Sequence, residues 1–234
     1  MPNVPRDELE LQRAFWEGSQ RDPTYKNQTE LMLLDPTGET YSSEEVSALL
    51  SIVPDLPAGS RLLELGAGVG RLTTHLARMA GRVIAYDFMA EFIAANRASC
   101  AAAGLTNVEH HVADAATLEL PAASAHMVFS NWILMYLTDT DARSLVERSA
   151  SALEAGGHLF VHESCDPGAD AASETEYARY AADNPARYRH PAWYEAAFAS
   201  SRLELVSRHD LTPLYRVDDP SMLGTQVAWL LKRA

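Results

Sequence analysis

Residues 62–71 read Leu-Leu-Glu-Leu-Gly-Ala-Gly-Val-Gly-Arg, and a second apolar run over 82–87 ends in a carboxylate, Asp87. This pattern predicts a buried strand, a glycine turn, a helix and a second strand whose last residue is acidic. Glycines at 66 and 68 let the backbone pass close to a ligand, because they carry no Cβ. Asp87 would then lie where a carboxylate can accept both hydroxyls of a ribose.

The spacing of the glycines separates two kinds of nucleotide site. A dinucleotide-binding G-x-G-x-x-G motif needs its third glycine at position 71, but that residue is Arg71 and the third glycine is Gly70. The G-x-G-x-G register preceded by Glu64 is typical of class I S-adenosylmethionine (SAM) methyltransferases. Glu64 suits the ammonium group of SAM, and Arg71 suits its carboxylate. With Asp87 and the later Asp114, these residues predict SAM as the cofactor.

Composition narrows the class of protein. A chain of 234 residues with 47% hydrophobic and 22% charged residues is expected to form one soluble α/β domain with an N-terminal extension. The net charge of −13 disfavours nucleic acid and anionic membranes as partners. Two cysteines make no disulfide framework, and residues 1–20 lack the apolar core of a signal peptide. We therefore expect a cytoplasmic protein without membrane insertion or an obligate protein partner.

Strand and helix patterns alternate from residue 61 onward. The predicted strands cover 61–65, 82–87, 107–113, 127–130, 158–163, 203–209 and 226–232. The predicted helices cover 70–79, 89–103, 140–153 and 192–200. This alternation predicts an α/β, Rossmann-like fold, in which a mostly parallel sheet has helices on both faces.

The chain divides into an extension and a main domain. Residues 41–234 are predicted to form the SAM-dependent methyltransferase domain, with 164–190 as an insertion on the substrate side. Residues 1–40 contain one helical pattern and an irregular aromatic stretch, and they are predicted to form a lid. Ser42 and Glu45 predict a capping box at the start of a helix that ends near residue 53.

Ligands of such sheets bind at the carboxyl ends of the strands, so the candidate residues follow each strand. Phe88 and Met89 would sandwich the adenine. Asp114 and Ala115 would read the adenine amine, although a helix cap is the alternative role for Asp114. Asn131 would lie beside the methionine part of SAM. The predicted cofactor site comprises Glu64, Gly66, Ala67, Gly68, Arg71, Asp87, Phe88, Met89, Asp114, Ala115 and Asn131.

Candidate residues for the methyl acceptor follow the fourth strand. Trp132 and Tyr136 are four residues apart, so on a short helix they face the same side. Trp132 is either a core aromatic or a substrate contact. Our hypothesis is that Tyr136, together with Tyr25 of the lid, orients an amine and relays its proton. His162, at the end of the fifth strand, is a candidate general base.

The insertion holds basic residues in a chain that is otherwise acidic. Arg187 and Arg189 flank Tyr188, which indicates either a solvated surface loop or an anion site, because arginine binds phosphate oxygens in a bidentate manner. Among the histidines, His110 and His111 are adjacent in a strand and point to opposite faces. No histidine pair has metal-ligand spacing, so we expect no metal site.

Three stretches carry a family resemblance: residues 63–71, residues 83–88 and the sequence Phe-Ser-Asn-Trp-Ile-Leu-Met-Tyr-Leu at 129–137. They resemble the first methyltransferase domain of plant phosphoethanolamine N-methyltransferases. The likeness continues through residues 163–165, 184–185, Tyr188-Arg189, Pro191, Tyr194, Gln226 and Trp229.

The resemblance implies a seven-stranded sheet that ends in an antiparallel hairpin. It also implies SAM as methyl donor, S-adenosylhomocysteine as product and a phosphorylated amino alcohol as acceptor. Tyr188 and Arg189 would help to hold the phosphate. The predicted substrate-binding residues are Trp132, Arg187, Tyr188, Arg189 and Tyr194. Tyr136 falls where related single-domain enzymes place a catalytic histidine.

The predicted function is SAM-dependent N-methylation of a small amine of the phosphoethanolamine type. Residues 66–71, with the pair Phe15-Trp16, also resemble protein N-terminal α-amine methyltransferases. A peptide α-amine is therefore one alternative acceptor. A natural-product O- or N-methyltransferase and a non-catalytic SAM-binding module are the others.

Overall fold

The computed structural model describes residues 6–169, 184–215 and 224–234. Within these ranges seven strands form a single sheet: β1 (Arg61–Leu65), β2 (Arg82–Asp87), β3 (Val108–Val112), β4 (Ala125–Asn131), β5 (Leu153–Cys165), β6 (Leu203–Asp210) and β7 (Thr225–Arg233). The strand order is β3-β2-β1-β4-β5-β7-β6. Strands β1 to β5 pair in parallel, whereas β7 is antiparallel to β5 and β6. The mostly parallel sheet and its antiparallel last hairpin are confirmed.

The α-helices of the described ranges are α1 (Arg6–Arg21), α2 (Gln28–Leu33), α3 (Ser42–Ile52), α4 (Thr73–Met79), α5 (Ala90–Ala102), α6 (Asp139–Ala152) and α7 (Pro191–Ser200). Short 3₁₀ helices lie at Gly38–Thr40, Leu134–Tyr136 and Thr212–Leu214. None of the helices in the described part of the chain combines the length and the apolar character that a membrane span requires.

Successive residues of β1 pack on opposite faces of the sheet. Leu62 belongs to a core cluster that includes Leu49 of α3. Leu63, the next residue, belongs to a second cluster that includes Leu145 of α6. Both faces of the central strands are therefore buried, which explains why β1 is apolar almost throughout. The expected helices on both faces are confirmed.

The start of α3 differs from the expectation. Tyr41 is the N-cap residue and makes no side-chain cap hydrogen bond, so the predicted capping box of Ser42 and Glu45 is wrong. The fully buried carboxylate of Glu45 instead pairs with Arg71. A cap bond contributes only about 1 kcal/mol. An ionised carboxylate in the core requires its charge partner far more than the helix requires that cap.

The stretch 31–34, which has no clear period in the sequence, covers the last three residues of a short helix and its C-cap residue. The Asn27 side chain caps α2 by accepting the N–H of Glu30 at 3.0 Å. Leu34 ends the helix with a φ of 51°. Helix α2 has six residues, too few for a 3.6-residue period to be visible.

Candidate active site

A cavity of about 420 Å³ lies at the carboxyl ends of β1, β2 and β4, a volume typical of small-molecule sites. The glycine loop (residues 66–70), α1 and the post-β4 loop (residues 132–137) contribute to its wall. The sequence-predicted residues on the wall are Tyr25, Glu64, Gly66, Ala67, Gly68, Arg71, Asp87, Phe88, Asp114, Ala115, Asn131, Trp132, Tyr136 and Tyr188. The remaining candidates, Met89, His162, Arg187, Arg189 and Tyr194, do not line it.

The glycine loop requires residues without a side chain. Gly66 has a φ of 70° and Gly68 a φ of 52°, in the left-handed region that favours glycine. A Cβ on Gly66 would lie 2.9 Å from Cδ1 of Ile133, and a Cβ on Gly68 would lie 2.9 Å from Sδ of Met32. The loop thus packs directly against side chains that line the same cavity.

Asp87 ends β2 and connects it to the glycine loop. Its Oδ2 accepts the N–H of Gly68 at 2.9 Å, and its Oδ1 accepts the N–H of Met89 at the same distance. Burial raises the pKa of Asp87 to about 6, although these backbone hydrogen bonds oppose the shift. The carboxylate is fixed in place and lies on the cavity wall.

Glu64 brings a second carboxyl group to the wall. Burial raises its pKa to about 8, against the opposing effect of a hydrogen bond from Thr73. Among the described residues its Oε2 has no hydrogen-bond partner, although that atom is buried. A buried acceptor without a partner is costly, and a cationic or hydrogen-bond-donating ligand would satisfy it.

Arg71 lies on the wall with its charge already balanced. Its guanidinium pairs with Glu45, and the Tyr215 hydroxyl donates to Glu45 Oε1 at 2.8 Å. Arg71 lines the cavity as expected, but no sequence pattern indicated Glu45 or Tyr215 in its surroundings. Both partners are distant in the chain, and only the fold brings them to the glycine loop.

Three residues at the ends of β2 and β3, Phe88, Met89 and Asp114, were predicted to contact the adenine, and they differ in whether they line the cavity. Phe88 and Asp114 both line the cavity. The Asp114 carboxylate also accepts the N–H of Ala116 at 2.9 Å, so it makes a turn contact as well. Met89 is fully buried in a cluster with Phe92 and does not line the cavity, so its contact with adenine stays a prediction. As the N-cap residue of α5, Met89 points into the core.

Aromatic side chains form the wall around Tyr136. The Trp16 ring lies edge-on to it at a centroid distance of 5.7 Å, and Tyr25 and Tyr188 line the same cavity. Asn184 lines the same cavity, and its side chain favours the phenolate form of Tyr136. Burial nevertheless holds the pKa of Tyr136 well above its ordinary value of 10. The phenol therefore keeps its proton, so Tyr136 can orient a ligand but does not serve as a phenolate base.

His162 is not a general base in this structure. It is fully buried behind the wall, and its Nδ1 lies 2.7 Å from Oδ1 of Asn131. Burial and the nearby Arg71 lower its pKa to about 3, so the ring is neutral near pH 7. Across the described ranges, no group of three or more His, Cys, Asp or Glu residues is arranged to hold a metal ion.

Arg189 does not contact the cavity, and its predicted phosphate contact is wrong. Its side chain is fully buried, with Nε 2.7 Å from Oδ1 of Asp139. Its two terminal nitrogens donate to the carbonyl oxygens of Leu134 and Leu137 at 2.8 and 2.6 Å. The guanidinium also lies 4.4 Å from the centre of the Trp193 ring. The backbone of the post-β4 loop therefore takes the hydrogen bonds that the sequence assigned to a phosphate.

Arg187 and Tyr194 do not line the cavity either. Arg187 is buried, and its backbone N–H donates at 2.7 Å to the carbonyl of Met135, a residue of the wall. Tyr194 lies in the core between Trp193 and Trp229, at centroid distances of 5.3 and 5.4 Å. Sequence proximity to Tyr188 suggested a shared role, but α7 turns Tyr194 toward the sheet. The part of the predicted insertion at 170–183 lies outside the described residues.

Several wall or support residues were not predicted. From α1, Gln12 donates to the carbonyl of Tyr136, and Phe15 and Trp16 line the cavity. Glu163 accepts three backbone N–H groups of the post-β4 loop. A glutamate at the end of an apolar parallel strand is a usable signal, since strand ends meet at the site. The contribution of α1 has no comparable signal, because helix docking depends on the tertiary fold.

Comparisons with known proteins agree with this fold. Residues 62–157 match the family described as Methyltransferase domain. A phosphoethanolamine N-methyltransferase of Triticum aestivum is 36% identical over 195 residues, which cover 82% of this chain and 36% of that protein. Phosphoethanolamine N-methyltransferase 1 of Arabidopsis thaliana is 34% identical over 82% of this chain and 37% of its own length. The chain thus spans little more than a third of these relatives.

Two solved structures share the architecture. Phosphoethanolamine N-methyltransferase 1 of Haemonchus contortus, in complex with phosphoethanolamine and S-adenosylhomocysteine, matches with a TM-score of 0.78 and 24% identity, over 96% of this chain and 48% of that chain. Geranyl diphosphate C-methyltransferase of Streptomyces coelicolor matches with a TM-score of 0.74 and 15% identity, over 99% of both chains. At these identities the matches establish the fold alone.

The sheet order, the glycine loop and these matches agree with one another. The chain has the class I SAM-dependent methyltransferase fold, carries a methyltransferase domain over residues 62–157, and resembles the phosphoethanolamine N-methyltransferases.

Proposed function

We propose that this chain is a SAM-dependent N-methyltransferase whose acceptor is a small amine of the phosphoethanolamine type. The observation that carries the proposal is one cavity with two different sides. Carboxylates and the glycine loop line it at the strand ends, and aromatic residues around Tyr136 line it beside the post-β4 loop. Similarity to phosphoethanolamine N-methyltransferases over 82% of the chain supports the choice of acceptor.

The residues present fit SAM. Asp87 would accept the ribose hydroxyls, and the buried, unpartnered oxygen of Glu64 would accept the ammonium group. Arg71, oriented by Glu45, would meet the carboxylate. Phe88 and Asp114 would contact the adenine. When bound, the cofactor supplies an electrophilic methyl group on a sulfonium sulfur.

The protein's own task is to present a neutral amine in line with that methyl group. An alkyl ammonium has a pKa of about 10, roughly three units above pH 7. Removing its proton at pH 7 therefore costs about 4 kcal/mol. A dry aromatic wall lowers this cost, because burial disfavours the ammonium form. Tyr136 and Tyr25 present hydroxyl groups that orient the amine. Alignment of the two reactants can lower the activation barrier by roughly 7–11 kcal/mol.

Arg187 and Arg189, the predicted partners of the acceptor's phosphate, do not line the described wall. Within the described residues Arg71 is the cation on the wall, and Tyr188 remains there as a hydroxyl donor. Support for a phosphorylated acceptor therefore comes from the relatives rather than from the described wall. Residues 1–40 act as a lid in this proposal, consistent with the wall contacts of Phe15 and Trp16. A cytoplasmic location stays a prediction.

An acceptor screen that measures S-adenosylhomocysteine release tests the proposal. Phosphoethanolamine, ethanolamine and short peptides with free α-amines are assayed side by side, with Asp87→Ala as the cofactor-site control. Turnover of phosphoethanolamine in the wild type, and its loss in the variant, would support it. Turnover of peptides alone would favour the α-amine alternative. Cofactor binding without turnover of any acceptor would leave only a binding module.

A further inference from the structure

The post-β4 loop carries much of the acceptor side of the cavity yet has little structure of its own. Trp132, Ile133, Met135 and Tyr136 all line the cavity. The regular part of the loop is a three-residue 3₁₀ helix, Leu134–Tyr136, and so short a helix is not stable by itself. Trp132 also has a φ of 51°, which costs free energy for a residue with a Cβ. Other parts of the fold must therefore hold this loop.

Glu163 holds the loop through its N–H groups. One oxygen of the carboxylate accepts the N–H of Ile133 at 3.1 Å and of Leu134 at 2.9 Å. The other oxygen accepts the N–H of Met135 at 3.1 Å. Glu163 is fully buried in β5. A single carboxylate thus satisfies three consecutive backbone donors, which charge-assisted bonds fix strongly.

Arg189 holds the same loop through its carbonyl groups. Its guanidinium donates to the oxygens of Leu134 and Leu137 and is anchored by Asp139 and the Trp193 ring. Both backbone polar groups of Leu134 are therefore held, its N–H by Glu163 and its carbonyl oxygen by Arg189. We name this arrangement the Glu163–Arg189 clamp.

We propose that Glu163 and Arg189 are positioning residues that set the catalytic rate by fixing the backbone of the post-β4 loop, without touching either ligand. The inference rests on the proposed function, since it assigns the acceptor wall to this loop. It gives Arg189 a role different from phosphate recognition. Loss of the clamp would let the ring of Tyr136 move, and small displacements of an orienting group lower the rate strongly.

The charges around Glu163 make the clamp sensitive to pH. Burial raises the pKa of Glu163 to about 7, while the three N–H groups and Arg189 oppose the shift. Tyr136, Tyr194 and Cys165 also interact electrostatically with Glu163, but all three have raised pKa values and stay neutral near pH 7. Below pH 7 the carboxyl gains a proton, and one acceptor position of the clamp is lost.

The central test is Glu163→Gln, which keeps the shape but replaces one acceptor with an NH₂ group that faces an N–H donor. Amide hydrogen exchange of Ile133, Leu134 and Met135 should speed up by about tenfold or more, while exchange in β4 stays unchanged. The turnover number kcat should fall by a similar factor, and binding of S-adenosylhomocysteine should change less than threefold. The clamp predicts that kcat of the wild type rises near pH 7, and this rise should be absent from the variant.

Two further variants keep the result interpretable. Glu154→Gln removes a partly exposed carboxylate, paired with Arg61, from the same strand and should match the wild type in exchange and kcat. Arg189→Lys retains the charge but not the paired donors, and it serves if Glu163→Gln does not fold. The clamp predicts that Arg189→Lys lowers kcat equally for phosphoethanolamine and ethanolamine. A selective rise of KM for phosphoethanolamine would overturn the inference in favour of phosphate contact.

Exchange distinguishes this inference from the proposed function. If the wild type methylates no amine while exchange at residues 133–135 still depends on Glu163, the loop is clamped but the proposed function fails. If the enzyme is active and Glu163→Gln leaves exchange, kcat and the pH profile unchanged, the clamp has no positioning role.

Discussion

The N–H of Gly68 donates to Oδ2 of Asp87 across 2.9 Å, so the glycine loop and the end of β2 form one rigid unit. The second oxygen of the same carboxylate accepts the N–H of Met89. Asp87 thus fixes two backbone turns and still lies on the cavity wall. Removal of its carboxylate therefore affects both the wall and the loop.

We predict that Asp87→Asn weakens binding of S-adenosylhomocysteine at least tenfold. The amide can accept only one of the two N–H groups, and its NH₂ faces the other donor. Isothermal titration calorimetry measures the change. Asp55→Asn, at an exposed carboxylate, should bind like the wild type. Equal affinity of both variants would show that Asp87 is not part of the cofactor site.

Gly66→Ala should destabilise the protein and abolish cofactor binding. The new Cβ would lie 2.9 Å from Ile133, at a backbone φ of 70°. Gly104→Ala is a matched control, because Gly104 also has a φ of 70° but has open space around the Cβ position. The control measures backbone strain alone, about 1–2 kcal/mol. Thermal unfolding should show a larger loss for Gly66→Ala, and equal losses would contradict the close approach.

Tyr136→Phe should lower kcat by roughly 10- to 100-fold, as expected for loss of a positioned hydroxyl, while cofactor affinity is retained. Because burial keeps the pKa of Tyr136 well above 10, the pH profile below pH 9 should keep its shape. Asn184→Ala, which removes a neighbouring polar side chain from the same cavity wall, should have a smaller effect on kcat. Full activity of Tyr136→Phe would remove the hydroxyl from the mechanism.

Glu64→Gln should stabilise the ligand-free protein more at high pH than at low pH. The unfolded carboxyl loses its proton near its ordinary pKa of 4.5, whereas the folded one keeps it up to about 8. The folded state binds this proton more tightly, so ionisation costs stability progressively as the pH rises from 4.5 to 8. Above that range we expect the Tm of Glu64→Gln to exceed that of the wild type by at least about 2–4 °C. A shift of this size corresponds to about 1 kcal/mol in the free energy of unfolding.

The control for this pH dependence is Glu154→Gln, at a partly exposed carboxyl group on the surface of β5. Its effect on Tm should be small and should not vary with pH. If the difference in Tm between Glu64→Gln and the wild type is the same at pH 5 and pH 8.5, Glu64 does not retain its proton in the folded state.

Local patterns were sufficient for the cofactor side of the site. Asp87 and Asp114 could be located because parallel strands end at one edge of the sheet, and each follows an apolar run. The same rule did not predict the full burial of Met89, which immediately follows Asp87 and Phe88. Whether a residue in such a turn faces the ligand or the core depends on the helix that packs there, and sequence spacing does not report that contact.

On the acceptor side of the cavity, the sequence predicted the contacts of the side chains less well. Arg189 and His162 have the residue types that bind phosphate or move protons, yet both are buried behind the wall with protein partners. The residue type determines which interactions a side chain can make, but the packing of the fold determines which group it contacts. The partners of Arg189 lie in a loop more than fifty positions away in the chain.

The sequence by itself determined the sheet, the glycine loop and the carboxylates at the strand ends, because these follow from periodicity and backbone freedom over short spans of chain. The tertiary structure alone decided that Arg71 pairs with Glu45, that α1 joins the cavity wall, and that Glu163 and Arg189 hold the post-β4 loop. Each of these contacts joins residues far apart in the chain, and burial forces every charged group among them to find a partner within the fold.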